Sequence, residues 1–177
     1  MFGVRTEVHH LQLWETDQHR PQQGVGLPGT AQSIRMTLAI EFVLHAKPVP
    51  KGRPRFASRG GFVKVYTPPE TIKYELLVSE QARQAMKGRE PHSTAIKVHL
   101  VVGLVPPTAW SKKRKVDAIN GVVKPTSKPD TDNYLKTVID AMNGIVYIDD
   151  SQVTMHTARK LYAEEYYIAV RVSEDIE

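Results

Sequence analysis

The chain has no cysteine among its 177 residues, which excludes disulfide frameworks, thiolate zinc sites and cysteine nucleophiles. Long apolar runs are missing as well: none approaches the ~18 residues of a membrane span. The N-terminus lacks the basic-then-apolar pattern of a signal peptide, so a cytoplasmic protein is expected. Acidic residues are absent or rare where basic ones gather. Between Lys47 and Lys64 there are six basic residues and no acidic one; between Ser111 and Lys128 there are six more against the single Asp117. With a net charge of +5, this distribution favours nucleic acid or another polyanion as partner.

A chain of this length suits one domain with a proper core. Residues 1–35 are rich in glutamine, glycine and histidine without an apolar period, and read as a flexible or non-native N-terminal extension. Patterned sequence starts at Met36, so the domain is expected over 36–177. The alternation in 37–44 and 61–66 predicts strands, and 95–105 is a strongly apolar strand. Between the first two lies a basic loop punctuated by proline and glycine, residues 47–56. Thr67-Pro68-Pro69-Glu70 predicts a helix entry, capped by Thr67, for a helix over 69–86 with Ile72, Leu76, Leu77, Ala82, Ala85 and Met86 inward. Residues 111–128 read as a long loop or a short helix. A second main helix is predicted over 133–143, capped by Asp132 or Asn133 and stopped by Asn143-Gly144. Residues 153–162 and 166–172 alternate like two antiparallel strands joined by a short turn. The fold class is α+β, a single domain whose mixed or antiparallel sheet is packed by about two main helices.

Chemistry concentrates in Lys128-Pro129-Asp130-Thr131-Asp132-Asn133-Tyr134-Leu135-Lys136 and in Asp149-Asp150-Ser151-Gln152. Two carboxylates two residues apart in an extended segment share a face. If the chain turned at Asn143-Gly144 and came back, Asp149 or Asp150 would join Asp130 and Asp132 at the helix start. Such a group would need a cation, and a hard, oxygen-seeking ion such as Mg²⁺ or Mn²⁺ fits. Capping explains Asp132 equally well, and a turn role explains Asp130 taken alone. Lys136, one helical turn beyond Asp132, could bind a scissile phosphate; as a plain surface residue it would pair with Asp140. The loop carrying Lys51, Arg53, Arg55 and Phe56 suits backbone contacts and stacking, and Lys112, Lys113 and Arg114 make a second basic run. Either could also be a solvated loop. Trp110 reads as a packed anchor rather than a stacking platform. A phosphatase with Asp130 as nucleophile is disfavoured, because that class wants an apolar strand running into its D-x-D and here Lys128-Pro129 precedes it.

The spaced set D-x-D-N-x-x-K (130–136), D-A-x-N-G (140–144) and D-D-x-Q-V (149–153) resembles the RusA family of Holliday junction resolvases. Pro50-Lys51-Gly52-Arg53-Pro54-Arg55-Phe56 and Tyr66-Thr67-Pro68 are similar to its phage and prophage branch. The resemblance runs from about Met36 to the C-terminus. It implies a dimeric, Mg²⁺-dependent endodeoxyribonuclease, with Mn²⁺ as substitute, that resolves four-way DNA junctions by paired nicks in recombination and repair. It carries the acidic ligands over to Asp130, Asp132 and Asp150, with Asp149 adjacent, and the essential lysine to Lys136. A nuclease for forks or flaps, or a catalytically silent DNA-binding protein, is the alternative.

Overall fold

The structure, a computed structural model, describes residues 39–52, 55–59 and 62–176, with side chains omitted from 53 to 66. The expected N-terminal extension and the first residues of the first expected strand lie outside the described residues. What is described belongs to one compact unit. Its strands are β1 (Ile40–Leu44), β2 (Arg55–Arg59), β3 (Phe62–Tyr66), β4 (Ile96–Leu104), β5 (Val153–Tyr162) and β6 (Tyr167–Glu174). Its helices, among the described residues, are α1 (Pro69–Met86), α2 (Lys112–Ile119) and α3 (Thr131–Met142).

β1, β6, β4 and β5 form a mixed sheet in that order, with β4 parallel to β5 and the other pairs antiparallel. β2 and β3 form a separate antiparallel hairpin. The alternating residues Ile40, Phe42 and Leu44, Val98, Leu100 and Val102, and Ile168, Val170 and Val172 share one face and are buried. Against them pack Tyr74, Val78, Ala82 and Met86 of α1 and Tyr134, Leu135, Val138, Ala141 and Met142 of α3. Each of the larger aliphatic side chains contributes on the order of 1.5–3 kcal/mol by leaving water, the alanines less.

Several sequence expectations are corrected. The basic loop gives way at Arg55 to a strand, where it pairs with β3. α1 occupies the predicted span, but its inward face is Thr71, Tyr74, Val78, Ala82 and Met86, while Ile72, Leu76 and Leu77 are exposed. The buried stripe steps by three or four from Thr71 and includes Ala82 and Met86, which lie inward as expected. The helix has no side-chain cap; its N-cap is Pro68, not Thr67.

The last two strands are not a hairpin, because β4 lies between them. β4 is apolar on both faces, with Val101 and Val102 both buried, so it takes a central position. β5, exposed at Thr154, Met155 and His156, takes the edge. Skipping one strand means crossing two inter-strand spacings, about 9.6 Å, within reach of the four-residue link 163–166. That link is tied to the end of β4 by Ala163 N–H donating to the Leu104 carbonyl at 2.8 Å. Gly103 opposes Tyr167 across β4 and β6, and a Cβ there would sit 2.3 Å from the tyrosine ring.

Candidate metal centre and its basic surround

The chain enters α3 through Lys128-Pro129, a cis peptide, and Asp130. Asp130 is the N-cap by backbone, in extended conformation (φ −77, ψ 156), yet its carboxylate makes no capping bond. This differs from the expected cap at Asp132 or Asn133. Asp132 lies in the first turn, exposed, with Asn133 Nδ2 3.4 Å from its Oδ1. The helix N-terminus is a favourable place for both negative charges. The approach segment is held from β5, where Lys160 Nζ donates to the carbonyls of Ser127 (2.7 Å) and Pro129 (2.8 Å). Lys136 follows Asp132 by one turn and is 62% exposed; its Nζ lies 3.4 Å from Asp140 Oδ1. The pairing with Asp140 expected of a surface lysine is present, and at that exposure it is weak.

Asp149 and Asp150 stand elsewhere. Asp149 caps the short 3-10 turn Asp150–Gln152, accepting from Ser151 N at 2.9 Å, while its own N–H donates to Gln152 Oε1 at 2.9 Å. Hydrogen bonds from Ser151 hold its carboxyl below the usual carboxylate range. Gln152 Nε2 then donates to the carbonyls of His92 and Thr94, both at 2.9 Å, pinning the turn to the segment that leads into β4. Asp150 is exposed at the head of β5. Burial, then the charges of Asp150 and Asp140, raises the pKa of Tyr147, whose hydroxyl donates to the Ile139 carbonyl at 2.7 Å.

The two acidic pairs therefore sit at opposite ends of α3. The 12 residues of α3 rise about 18 Å. The turn that follows is folded onto its last residue, with the N–H groups of Ile145 and Val146 both 3.0 Å from the Met142 carbonyl. The chain comes back alongside α3 only as β5, after Asp150. Lys160, which touches the Asp130 approach, is seven residues up that strand from Val153, about 23 Å at strand rise. Among the described residues, no three acidic or imidazole side chains lie close enough to hold a metal ion. The expected return of Asp149 or Asp150 to the helix start is thus corrected for a single protomer.

The endodeoxyribonuclease RusA family matches residues 45–173 of this sequence. The chain belongs to the RusA family. These are Holliday junction resolving endodeoxyribonucleases. The chain is also 38% identical over 138 residues to YqaN of Bacillus subtilis (strain 168), an uncharacterised protein; the match covers 76% of this chain and 96% of that one.

For a RusA-family protein the placement of the basic residues matters as much as the acids. Lys51 is not an open cation: its Nζ lies 2.6 Å from both Glu75 Oε1 on α1 and Asp140 Oδ2 on α3, and it is only a quarter exposed. Burial works against its charge, but the hydrogen bonds and charges of Asp140 and Glu75 outweigh it and raise its pKa. Arg53 lies outside the described residues. Arg55 is described by its backbone alone, at the start of β2. Lys112, Lys113 and Arg114 form the exposed first turn of α2, where Ser111 caps by accepting from Arg114 N. The Arg114 guanidinium lies 3.9 Å from the Trp110 ring centroid, and Tyr162 meets that ring edge-on at 5.3 Å. The anchor reading of Trp110 fits this packing. Among the described residues no helix is long and apolar enough to cross a membrane.

Sequence reasoning missed Glu75, Lys160 and the holding role of Gln152. Glu75 and Lys160 act across 24 and 31–33 residues of chain, and nothing local marks them. For Gln152 the signal was the D-D-x-Q spacing, which is the reach of a capping box.

Proposed function

We propose that this protein is a divalent-metal-dependent endodeoxyribonuclease that resolves four-way DNA junctions by paired phosphodiester hydrolysis, serving recombination and repair in the cytoplasm. The observation that carries the reading is the head of α3. There Asp130 and Asp132 stand exposed and unspent on capping, one turn from Lys136, inside a segment matching the endodeoxyribonuclease family. Hard carboxylate oxygens suit Mg²⁺, with Mn²⁺ as substitute.

Within a single protomer these acids do not gather with Asp149 and Asp150 into a group that could hold a metal ion, so the ligand set closes only when a second copy presents its acidic turn. A homodimer enters the reading for that reason, as well as for the two equivalent nicks a junction requires. Asp130, Asp132 and Asp150 are then the ligands. Asp149 adds its free oxygen while its cap to Ser151 sets the direction of Asp150. When bound, the ion supplies Lewis-acid charge at the phosphate and lowers the pKa of a water. The chain's own residues do the rest. Lys136 places an ammonium beside a non-bridging phosphate oxygen, where it offsets the charge that grows in the transition state. Lys112, Lys113 and Arg114, with Arg53 and Arg55, grip the backbone with salt-dependent affinity.

Cleavage of four-way, three-way and linear DNA at one salt concentration tests the proposal, with wild type and Asp132→Asn compared in Mg²⁺. The wild type should nick four-way junctions far faster than duplex, and the variant should bind them without cutting. Equal rates on linear duplex would sink junction specificity, and faster cutting of three-way DNA would move the substrate to forks or flaps. A wild type that binds but never nicks with either ion would be a silent DNA-binding protein.

A further inference from the structure

Lys51 joins three pieces of the molecule. Its backbone N–H donates to the Asn133 carbonyl in the first turn of α3 at 2.9 Å. Its ammonium bridges Glu75 on α1 and Asp140 on α3, each at 2.6 Å. Asp140 is shared: Oδ2 takes Lys51 at 2.6 Å, and Oδ1 faces Lys136 at 3.4 Å. The short pair is half-buried and the long one is on the surface, so Lys51 takes the larger part of the Asp140 charge.

We propose that Lys51 is a positioning residue for Lys136, one that occupies Asp140 and thereby leaves the Lys136 ammonium loosely held and available to the scissile phosphate. The assignment rests on the nuclease reading above. It also removes Lys51 from the set of phosphate contacts, because both its strong partners are carboxylates of its own chain. Without Lys51, Asp140 pairs with Lys136 alone and draws the ammonium away from Asp132 along the helix. Glu75 then loses the ammonium that it shares with Asp140.

The test is a double-mutant cycle read by single-turnover cleavage and by the salt dependence of junction binding. Lys51→Met should lower the cleavage rate by roughly ten- to hundredfold, the scale of a slightly misplaced group. Its slope of log affinity against log salt should stay at the wild-type value. Lys51→Arg, whose fork can serve both carboxylates, should recover most of the rate. In an Asp140→Asn background the competitor for Lys136 is gone, so adding Lys51→Met should cost about threefold or less. Melting curves on all variants, with rates normalised to folded protein, remove loss of fold as an explanation. A fall in the salt slope of about 0.9 for Lys51→Met would make it a phosphate contact and overturn the assignment. Losses that simply add in the double variant would overturn it too. If the wild type itself never cleaves, the nuclease reading fails and takes this assignment with it; an active wild type with additive losses removes this assignment alone.

Discussion

Replacing Lys160 by methionine keeps the aliphatic stem and removes the ammonium that holds the approach to Asp130. Two charge-assisted hydrogen bonds are lost, to the Ser127 carbonyl at 2.7 Å and to the Pro129 carbonyl at 2.8 Å. Bonds of this kind are worth about 1.5–3 kcal/mol each when their partners stay dry. Ser127 is exposed and its carbonyl can take water instead, whereas Pro129 is half-buried. The loss should therefore be mainly that of the Pro129 bond, about 2–3 kcal/mol in total. For a domain of this size each kcal/mol moves the melting temperature by about 2–4 °C, so a fall of about 4–12 °C is expected. Amide hydrogen exchange should localise the loosening to 127–132, and metal-dependent cleavage should fall with it because Asp130 is no longer held. The measurements are thermal or urea unfolding, exchange mass spectrometry and a cleavage time course. A variant that melts within about 1 °C of wild type, with unchanged protection at 127–132, would refute the clamp, since even one such bond carries more than that.

Three further outcomes follow from the geometry. Gly103→Ala should destabilise by about 1–3 kcal/mol through overpacking against Tyr167, and Tyr167→Ala in the same chain should relieve part of that cost in a denaturation cycle. Asp175 is held below its ordinary value of 3.8 by hydrogen bonds from Lys97 and Thr154. A carboxyl with a depressed folded pKa contributes stability above the unfolded value, and that contribution is lost as pH falls from there through the folded value. Stability measured against pH should therefore decline below about pH 4, and less steeply in Asp175→Asn. Replacing Lys112 and Lys113 together by alanine should reduce the salt slope of junction binding by about two while leaving the cleavage rate at saturating protein near wild type. An unchanged slope would remove that turn from the DNA path.

Local sequence signals worked where local physics decides. The span of α1 was readable because Pro68-Pro69 and Glu70 mark its entry and no interior residue breaks it. The acidic motif led to the family because its spacing sits on one helix and one turn. In α1, Ala82 and Met86 lie inward as the sequence predicts, but its first half differs because exposed Ile72, Leu76 and Leu77 look more like core than Thr71 and Tyr74 do. Periodicity alone cannot tell which of two adjacent stripes meets a neighbour. The last two strands are antiparallel and joined by a short link as expected, but they are not neighbours, for a related reason. A four-residue link reaches an adjacent strand or the next one over, and only the two-sided burial of β4 selects the second.

By itself the chain determined that cysteine chemistry is absent, that basic segments at 47–64 and 111–128 flank an acidic motif, and that the motif is of the RusA kind. These properties rest on residue identity and short spacing, which a linear reading preserves. Tertiary structure decided where the charges go. It tied Lys51 to Glu75 and Asp140, set Lys160 on the Asp130 approach, and left Asp149 and Asp150 at the far end of α3 from Asp130 and Asp132. The reason is that ion pairs and ligand sets depend on distances of a few Å between side chains, and those distances come from packing helices on a sheet.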